Sequence, residues 1–219
     1  MSMNSIIVQM RVEGKKFVTS QELSEYSNNL HYDYENVKRY LLSQGDFVKI
    51  FKDIFYIKSS TEKKLKKLDW SLLEIVGQAL DVKKINNWYF GFYTALTFNE
   101  IPHKDQEEIY LINDSLSKNN PVKIGGHLFR IIRLESNLFK FGTINNKVKY
   151  SDPEKTVLDL IYLWKYSGLI EMKILKQISS YMGYLSKSKI MGYAKHYPES
   201  NRDILNKYYK NVPITAATS

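Results

Sequence analysis

A short helical run in the first quarter of the chain has the side chains that read DNA bases. Asn36, Arg39 and Ser43 recur at intervals of three and four residues, so they fall on one face of a helix. Asn binds the adenine edge and Arg the guanine edge through paired hydrogen bonds in the major groove. The pattern therefore predicts a base-reading surface flanked by Glu35 and Lys38. The alternative is a solvated helix face held by a Glu35–Arg39 ion pair.

Patterns for catalysis or metal binding are weaker. The four histidines are scattered, and none pairs with another at the spacing of metal ligands. The sequence has no nucleophile-elbow, Walker or dinucleotide motif. Asp152, Glu154 and Asp159 offer carboxylates for a metal-dependent phosphodiester reaction, but helix capping accounts for the first two more simply. We therefore predict that the chain is not an enzyme and has no catalytic residue, metal site or cofactor.

The reading surface needs neighbouring elements to hold it, and the flanking sequence predicts a pair of helices. Thr19 and Glu22 have the spacing of a capping box at the start of a first helix. Asp33 is a good N-cap for the second helix, which extends to about Ser43. Gly45 follows at the place where a left-handed residue ends a helix. A polar break separates the two helices, as in a helix-turn-helix.

A hairpin and an earlier helix complete the predicted module. The β-rich runs Phe47–Phe51 and Ile54–Ile57 are joined by a turn at Lys52-Asp53, and residues 3–12 have apolar side chains at helical spacing. This order predicts a winged helix-turn-helix, and the hairpin lysines, including Lys58, favour a nucleic-acid ligand. The predicted DNA-contacting residues are Ser20, Gln21, Tyr32, Asn36, Lys38, Arg39, Ser43, Lys49 and Lys52.

The composition describes a globular protein with an anionic partner. The 219 residues carry a net charge of +9, with 43% hydrophobic residues and a mean hydropathy of −0.38. No run approaches the roughly 18 apolar residues of a membrane helix, and the first residues lack a signal-peptide pattern. The chain has no cysteine, which fits a cytoplasmic protein. We expect a cytoplasmic protein with no membrane partner.

The charge is unevenly distributed along the sequence. Residues 1–62 have eight basic and eight acidic side chains, whereas residues 63–219 have 24 and 15. Residues 59–69 have the composition of a polar linker with a basic helical start. We therefore predict a winged helix-turn-helix domain at 1–62 and a basic α+β domain at 63–219. Residues from about 212 have no periodicity and are predicted to be a frayed tail.

The second predicted domain mixes helices with an antiparallel sheet. Asp69 is predicted to cap a helix that extends to about Leu80, and the aromatic-rich residues 87–98 to form buried core. A Ser151-Asp152-Pro153-Glu154 helix start has a cap, a first-turn proline and a glutamate for a capping box. Predicted strands cover 109–112, 121–124, 127–134, 138–141 and 147–150, and predicted later helices cover 171–181, 188–196 and 201–210. The predicted fold class is α+β.

Three stretches resemble the AbiEi-type antitoxins of bacterial and archaeal abortive-infection systems. Residues 48–56, VKIFKDIFY, are similar to the family's wing. Residues 89–101, YFGFYTALTFNEI, are similar to its aromatic helix with an Ala-Leu pair, and residues 151–162, SDPEKTVLDLIY, to its Pro-Glu-Lys helix start with a later Asp. The chain departs from the family at Asp53, where Gly is common, and at Asn99-Glu100, where His-Gly is usual.

The resemblance implies a function in two parts. The N-terminal domain would bind an inverted-repeat operator in double-stranded DNA and repress its own operon. The C-terminal domain would counteract a nucleotidyltransferase-like toxin, with or without a stable direct contact. Two alternatives stay open: a stand-alone winged-helix transcription factor with an effector or oligomerisation domain, and, more remotely, a winged-helix-guided nuclease.

Overall fold

The computed structural model describes residues 3–211, and over that range the chain is an α+β protein with ten α-helices and two sheets. The predicted tail at 212–219 lies outside the described residues. No helix within residues 3–211 has the length and apolar character needed to cross a membrane.

The chain packs as two compact units. The first comprises Met1–Asn86 with Val122–Leu128, and the second comprises Asn87–Pro121 with Phe129–Ser219. The predicted boundary between residues 62 and 63 lies inside the first unit. Counted by unit, Lys and Arg outnumber Asp and Glu by 15 to 11 in the first and by 17 to 12 in the second. The positive excess is therefore shared between the units.

The first unit alternates helices with a three-stranded sheet of order β1-β3-β2, in which both pairings are antiparallel. Its elements up to Asn86 are α1 Asn4–Val12, β1 Phe17–Thr19, α2 Ser20–Asn29, α3 Tyr34–Ser43, β2 Phe47–Phe51, β3 Ile54–Ile57, α4 Ser60–Leu65 and α5 Leu72–Val82. The predicted first three helices and both hairpin strands are confirmed, whereas β1 was not predicted.

Local capping explains where α2 and α3 begin and end. Thr19 and Glu22 form the predicted reciprocal capping box at the start of α2. The Asp33 side chain accepts a hydrogen bond from the Asn36 amide at the start of α3. Gly45 follows α3 with φ +70°, a conformation that glycine adopts without a steric penalty. The apolar sides of the helices meet in one core whose fully buried members include Ile6, Ile7, Met10, Leu23, Val37 and Leu41.

The stretch predicted as a polar linker contains a buried anchor. Glu62 is only 1% exposed, and its carboxylate accepts hydrogen bonds from the Tyr56 hydroxyl at 2.7 Å and the Asp69 amide at 2.9 Å. It also completes a capping box with Ser59 at the start of α4. The sequence predicted Asp69 as the cap of the next helix. This prediction is wrong, because Ser71 caps α5. Residues 59–71 therefore belong to the packed first unit.

Replacing Glu62 by alanine should lower the free energy of unfolding by about 2–3 kcal/mol, because it removes a cap and leaves the Tyr56 hydroxyl unsatisfied. Burial opposes ionisation of Glu62, but hydrogen bonds from the Asp69 and Ser59 amides outweigh it and hold the pKa below its ordinary value of 4.5. The stabilisation from this ionisation is therefore present above pH 4.5 and is lost as the pH falls through the lowered folded value.

Urea unfolding monitored by circular dichroism at neutral and acidic pH measures both effects. Glu62→Gln should lose less stability than the parent on acidification, since it has no carboxylate to protonate. Equal acid sensitivity of the parent and Glu62→Gln would contradict this role.

The second sheet has six strands in the order β6-β7-β5-β4-β9-β8, and β4 pairs in parallel with β9 and antiparallel with β5. The strands are β4 Trp88–Phe90, β5 Glu108–Asn113, β6 Val122–Ile124, β7 His127–Arg133, β8 Thr143–Asn145 and β9 Lys149–Ser151. The helices are α6 Phe92–Phe98, α7 Pro153–Tyr166, α8 Glu171–Ser179, α9 Lys187–Tyr193 and α10 Glu199–Asn211.

Most predicted elements of this half are present, with three corrections. Residues 138–141 do not form a strand, because the chain makes a short 3-10 turn at Ser136–Phe139. The aromatic-rich stretch is buried as predicted, but it divides into β4 and α6 at Gly91, where an added Cβ would lie 2.6 Å from the Ile112 side chain. Glu154 does not close a capping box, because its carboxylate accepts from the Ser186 amide at 2.9 Å and pairs with Lys189.

Candidate nucleic-acid interface

Helix α3 presents its predicted reading residues on an exposed face. Asn36, Arg39 and Ser43 are all exposed, whereas Val37 and Leu41 on the other side of the helix are fully buried. The helix is anchored through its apolar side, so the polar side is open to a ligand. This arrangement agrees with the periodicity of the sequence.

The charged neighbours on α3 are arranged so that Arg39 stays available. Glu35 pairs with Lys38, with Nζ 2.5 Å from the carboxylate, and Lys38 also lies 4.8 Å from the centre of the Tyr34 ring. The hydrogen bond to Glu35 raises the pKa of Lys38. The Glu35–Arg39 pair considered as the alternative does not form. Within residues 3–211 the Arg39 guanidinium has no hydrogen-bond or ion-pair partner, so its five N–H donors are free to bind a base edge.

The other polar residues predicted to contact DNA have local structural bonds as well. The Tyr34 hydroxyl donates to the Ser20 hydroxyl at 2.9 Å, which links the first turn of α3 to the start of α2. Gln21 donates to Glu25 one turn later at 3.3 Å, and the Ser43 hydroxyl donates to a backbone carbonyl of its own helix. Tyr32 is half-buried and packs against the core of the first unit. Of these bonds, the one between Ser20 and Tyr34 joins the two helices.

The turn between β2 and β3 is held in place by two contacts of Asp53, one through its backbone and one through its side chain. The Asp53 carbonyl accepts from the Ser20 amide at 2.9 Å, and the Asp53 carboxylate pairs with Lys83 of α5 at 2.7 Å. Burial opposes ionisation of Asp53, but the Lys83 ammonium outweighs it and lowers the pKa. The backbone φ of Asp53 is not positive, so this turn does not require a glycine. Lys52 lies in this turn and Lys49 lies in β2, and both side chains are exposed.

Lys58 lies far from the hairpin turn, although the sequence predicted that all three hairpin lysines favour a nucleic-acid ligand. Its amide donates to the Asp46 carbonyl, which places it at the end of the hairpin away from the turn. At about 3.3 Å per residue, Lys58 lies roughly 17 Å along the strand from the turn. Lys52 therefore lies in the hairpin turn and Lys49 in the middle of β2, opposite Phe55, whereas Lys58 lies beyond the far end of β3.

The second unit contains a buried polar cluster that the sequence patterns did not predict. Lys155 and Asp159 on α7 are both 0% exposed, with Nζ 3.4 Å from Oδ1. The Tyr197 hydroxyl donates to the same oxygen at 2.5 Å, and the Tyr89 hydroxyl donates to Oδ2 at 2.8 Å. The Lys155 ammonium also lies 4.7 Å from the centre of the Tyr89 ring and 4.9 Å from that of Phe141. The sequence signal that could have predicted this buried pair is the i, i+4 spacing of Lys155 and Asp159 in an otherwise apolar helix.

Burial sets the electrostatics of this cluster. It lowers the pKa of Lys155 and raises the pKa of Asp159, because both charges are removed from water. The hydrogen bonds from Tyr197 and Tyr89 favour the ionised carboxylate and oppose the shift of Asp159. Since neither side chain reaches solvent, the cluster is closed to a substrate. Its role is to join α7 to β4 and to the segment that precedes α10.

The other acidic residues of this region are engaged in structural bonds. Asp152 caps α7 by accepting from the Lys155 amide at 2.9 Å, and it also accepts from the Tyr193 hydroxyl at 3.0 Å. Lys189 lies between Asp152 and Glu154, at 3.1 and 2.8 Å. Across residues 3–211, no group of three or more His, Asp or Glu side chains is arranged to hold a metal ion. Asp152 and Glu154, two of the three carboxylates considered for metal chemistry, therefore hold α9 against the start of α7.

Comparison with known proteins shows the fold but not a family. No family model matches the sequence, and no curated protein matches it. The crystal structure of the RV2827C protein from Mycobacterium tuberculosis is similar, with a TM-score of 0.54 over 94% of this chain and 75% of that chain. The two sequences are 9% identical, so the likeness concerns the fold alone.

Proposed function

We propose that the chain is a DNA-binding transcriptional repressor that reads its operator with α3. In this proposal α2 and α3 are a helix-turn-helix and the β2–β3 hairpin is its wing. The order α1-β1-α2-α3-β2-β3 and the sheet order β1-β3-β2 support it. The observation that carries it is the exposed face of α3, where Asn36 and an unpaired Arg39 project side by side.

The proposed docking follows from the chemistry of that face. A recognition helix enters the major groove and its polar face meets the base edges. Asn36 would bind an adenine and Arg39 a guanine, each through two hydrogen bonds. Two copies of the chain related by a two-fold axis would read an inverted repeat whose half-sites lie about one helical turn apart.

Lys49 and Lys52 should act on DNA through phosphates rather than bases. Replacing either by alanine should weaken binding about equally on every sequence and reduce the slope of log K against log salt by about one. The reason is that each of these two exposed hairpin lysines releases about one counterion when it contacts the DNA backbone.

Fluorescence-anisotropy titrations at three salt concentrations measure this slope. Lys195→Ala, an exposed lysine of the second unit, is the matched control and should keep the parent slope. If the Lys49 and Lys52 variants also keep it, the hairpin does not touch the DNA backbone.

The second part of the proposal is that the chain is an antitoxin of the AbiEi type, which counteracts a nucleotidyltransferase-like toxin. The resemblance of residues 151–162 supports this assignment, and in this chain that stretch holds the buried Lys155–Asp159 pair. Growth of cells that express a nucleotidyltransferase-like protein encoded beside this chain tests it. Co-expression of the chain should restore growth. If no such neighbour exists, or if growth is not restored, the chain is a stand-alone winged-helix regulator.

A further inference from the structure

A small cavity in the first unit is lined by cationic side chains. It has a volume of about 210 Å³ and lies where the end of α1 meets the end of β3. Arg11, Lys15, Lys16 and Lys58 line it together with Ser59 and Ser60, and no acidic residue is among the lining residues. Drug-sized ligands occupy pockets of roughly 300–1,000 Å³. A cavity of this size and charge suits a small anion.

Arg11 is held in place before any ligand arrives. Its Nε donates to the Lys58 carbonyl at 2.9 Å, and one terminal nitrogen donates to the buried Asp46 carboxylate at 2.7 Å. The guanidinium has five N–H donors, so these two bonds fix its plane and leave other donors for a ligand. Its side chain is 21% exposed. A fixed guanidinium binds a phosphate with less loss of conformational entropy than a mobile one.

The three lysines at the cavity differ in whether a carboxylate already pairs with them. Lys15 pairs with Glu22 at 2.7 Å. Within residues 3–211, Lys16 and Lys58 have no ion pair, and the Lys16 ammonium lies 5.8 Å from the centre of the Trp70 ring. Two lysines without an ion pair thus line the cavity together with a fixed arginine. Bonds from such groups to phosphate oxygens are charge-assisted and roughly twice as strong as neutral ones.

We propose that this cavity binds a small molecule bearing one or two phosphate groups, at a site separate from the DNA-reading surface. The strand register separates the cavity from the hairpin turn. Phe17 pairs with Tyr56 and Thr19 with Ile54, so the cavity residues Lys16 and Lys58 lie at the end of the β1–β3 pair opposite the hairpin turn. A phosphate from the DNA backbone is the other source of the same chemistry, and the experiment separates the two.

Calorimetric titration of the full chain with sodium diphosphate at low ionic strength tests the proposal. We expect saturable binding with one site per chain, and weaker binding of inorganic phosphate. The Lys16→Gln/Lys58→Gln variant should lose about tenfold in diphosphate affinity for each lost contact. Because both lysines are at the surface, this variant should fold, and its thermal melting without ligand should match that of the parent. Diphosphate should raise the Tm of the parent more than that of the variant.

The matched control is Lys64→Gln/Lys67→Gln, which makes the same charge change on two exposed lysines outside the cavity. It should bind diphosphate as the parent does. Equal affinity of the parent and the Lys16/Lys58 variant, or only dilution heats up to about 10 mM diphosphate, would overturn the proposal. Displacement of bound diphosphate by a short non-operator duplex would also overturn it, since the cavity would then be a DNA-backbone contact.

Discussion

Replacing Asp159 by alanine should lower the free energy of unfolding of the second unit by about 3–5 kcal/mol. The change would leave the Lys155 ammonium fully buried without its carboxylate, and removal of one partner of a buried ion pair costs that much in other proteins. It would also leave the hydroxyls of Tyr89 and Tyr197 without their acceptor. Each of those buried donors adds to the loss.

Urea unfolding followed by tryptophan fluorescence measures this effect. Trp88 and Trp164 belong to the second unit, so a Trp70→Phe background makes the signal report that unit alone. This separation matters because a chain of two units need not unfold in one step.

Two further variants distinguish a buried pair from ion pairs in general. Lys155→Met/Asp159→Asn should recover much of the loss, because it removes both buried charges while the Asn amide oxygen still accepts a hydrogen bond from a tyrosine hydroxyl. Glu171→Ala breaks an exposed pair with Lys207, which at 2.7 Å is shorter than the buried pair at 3.4 Å, and should cost at most about 1 kcal/mol. If Asp159→Ala costs no more than Glu171→Ala, the buried cluster does not hold the second unit together.

Replacing Arg39 by alanine should weaken operator binding by roughly 1–3 kcal/mol and relax the choice of base at one position of each half-site. The guanidinium has no competing partner within the described residues, so its donors would be lost from the base edge directly. Mobility-shift titrations on the operator and on single-base variants of it measure both effects.

Arg39→Lys is the informative companion to this variant. It keeps the positive charge but cannot form the two parallel hydrogen bonds of a guanidinium. Its binding to non-operator DNA should therefore match that of the parent, while its preference for the operator falls. Unchanged affinity and unchanged base preference in Arg39→Ala would remove this residue from the reading surface.

The parts of the fold that follow from local sequence signals could be predicted. Capping side chains and Gly45 define α2 and α3, and apolar periodicity identifies their buried faces. The short strand β1 could not be predicted, because three residues form a strand only when β3 lies beside them. The same holds for residues 138–141, whose apolar pattern fits either a strand or the observed turn.

The polar contacts that depend on tertiary structure could not be predicted from the sequence either. Glu62 looks like one more charge in a charged run, and only the positions of Tyr56 and the Asp69 amide make it a buried anchor. Asp159 likewise meets Tyr89 and Tyr197 across 70 and 38 residues of chain. On α3, Glu35 had two basic neighbours at helical spacing, and the choice of Lys38 over Arg39 is visible only in the structure.

The most direct test of the central claim is a selection of duplexes bound by the full chain from a pool of random sequence. If α3 reads bases, repeated rounds should enrich an inverted repeat with a guanine in each half-site, and selection with Arg39→Ala should lose the preference for that guanine. Recovery of sequences indistinguishable from the input pool, or of the same motif with both proteins, would contradict the claim that this helix is the DNA-reading element.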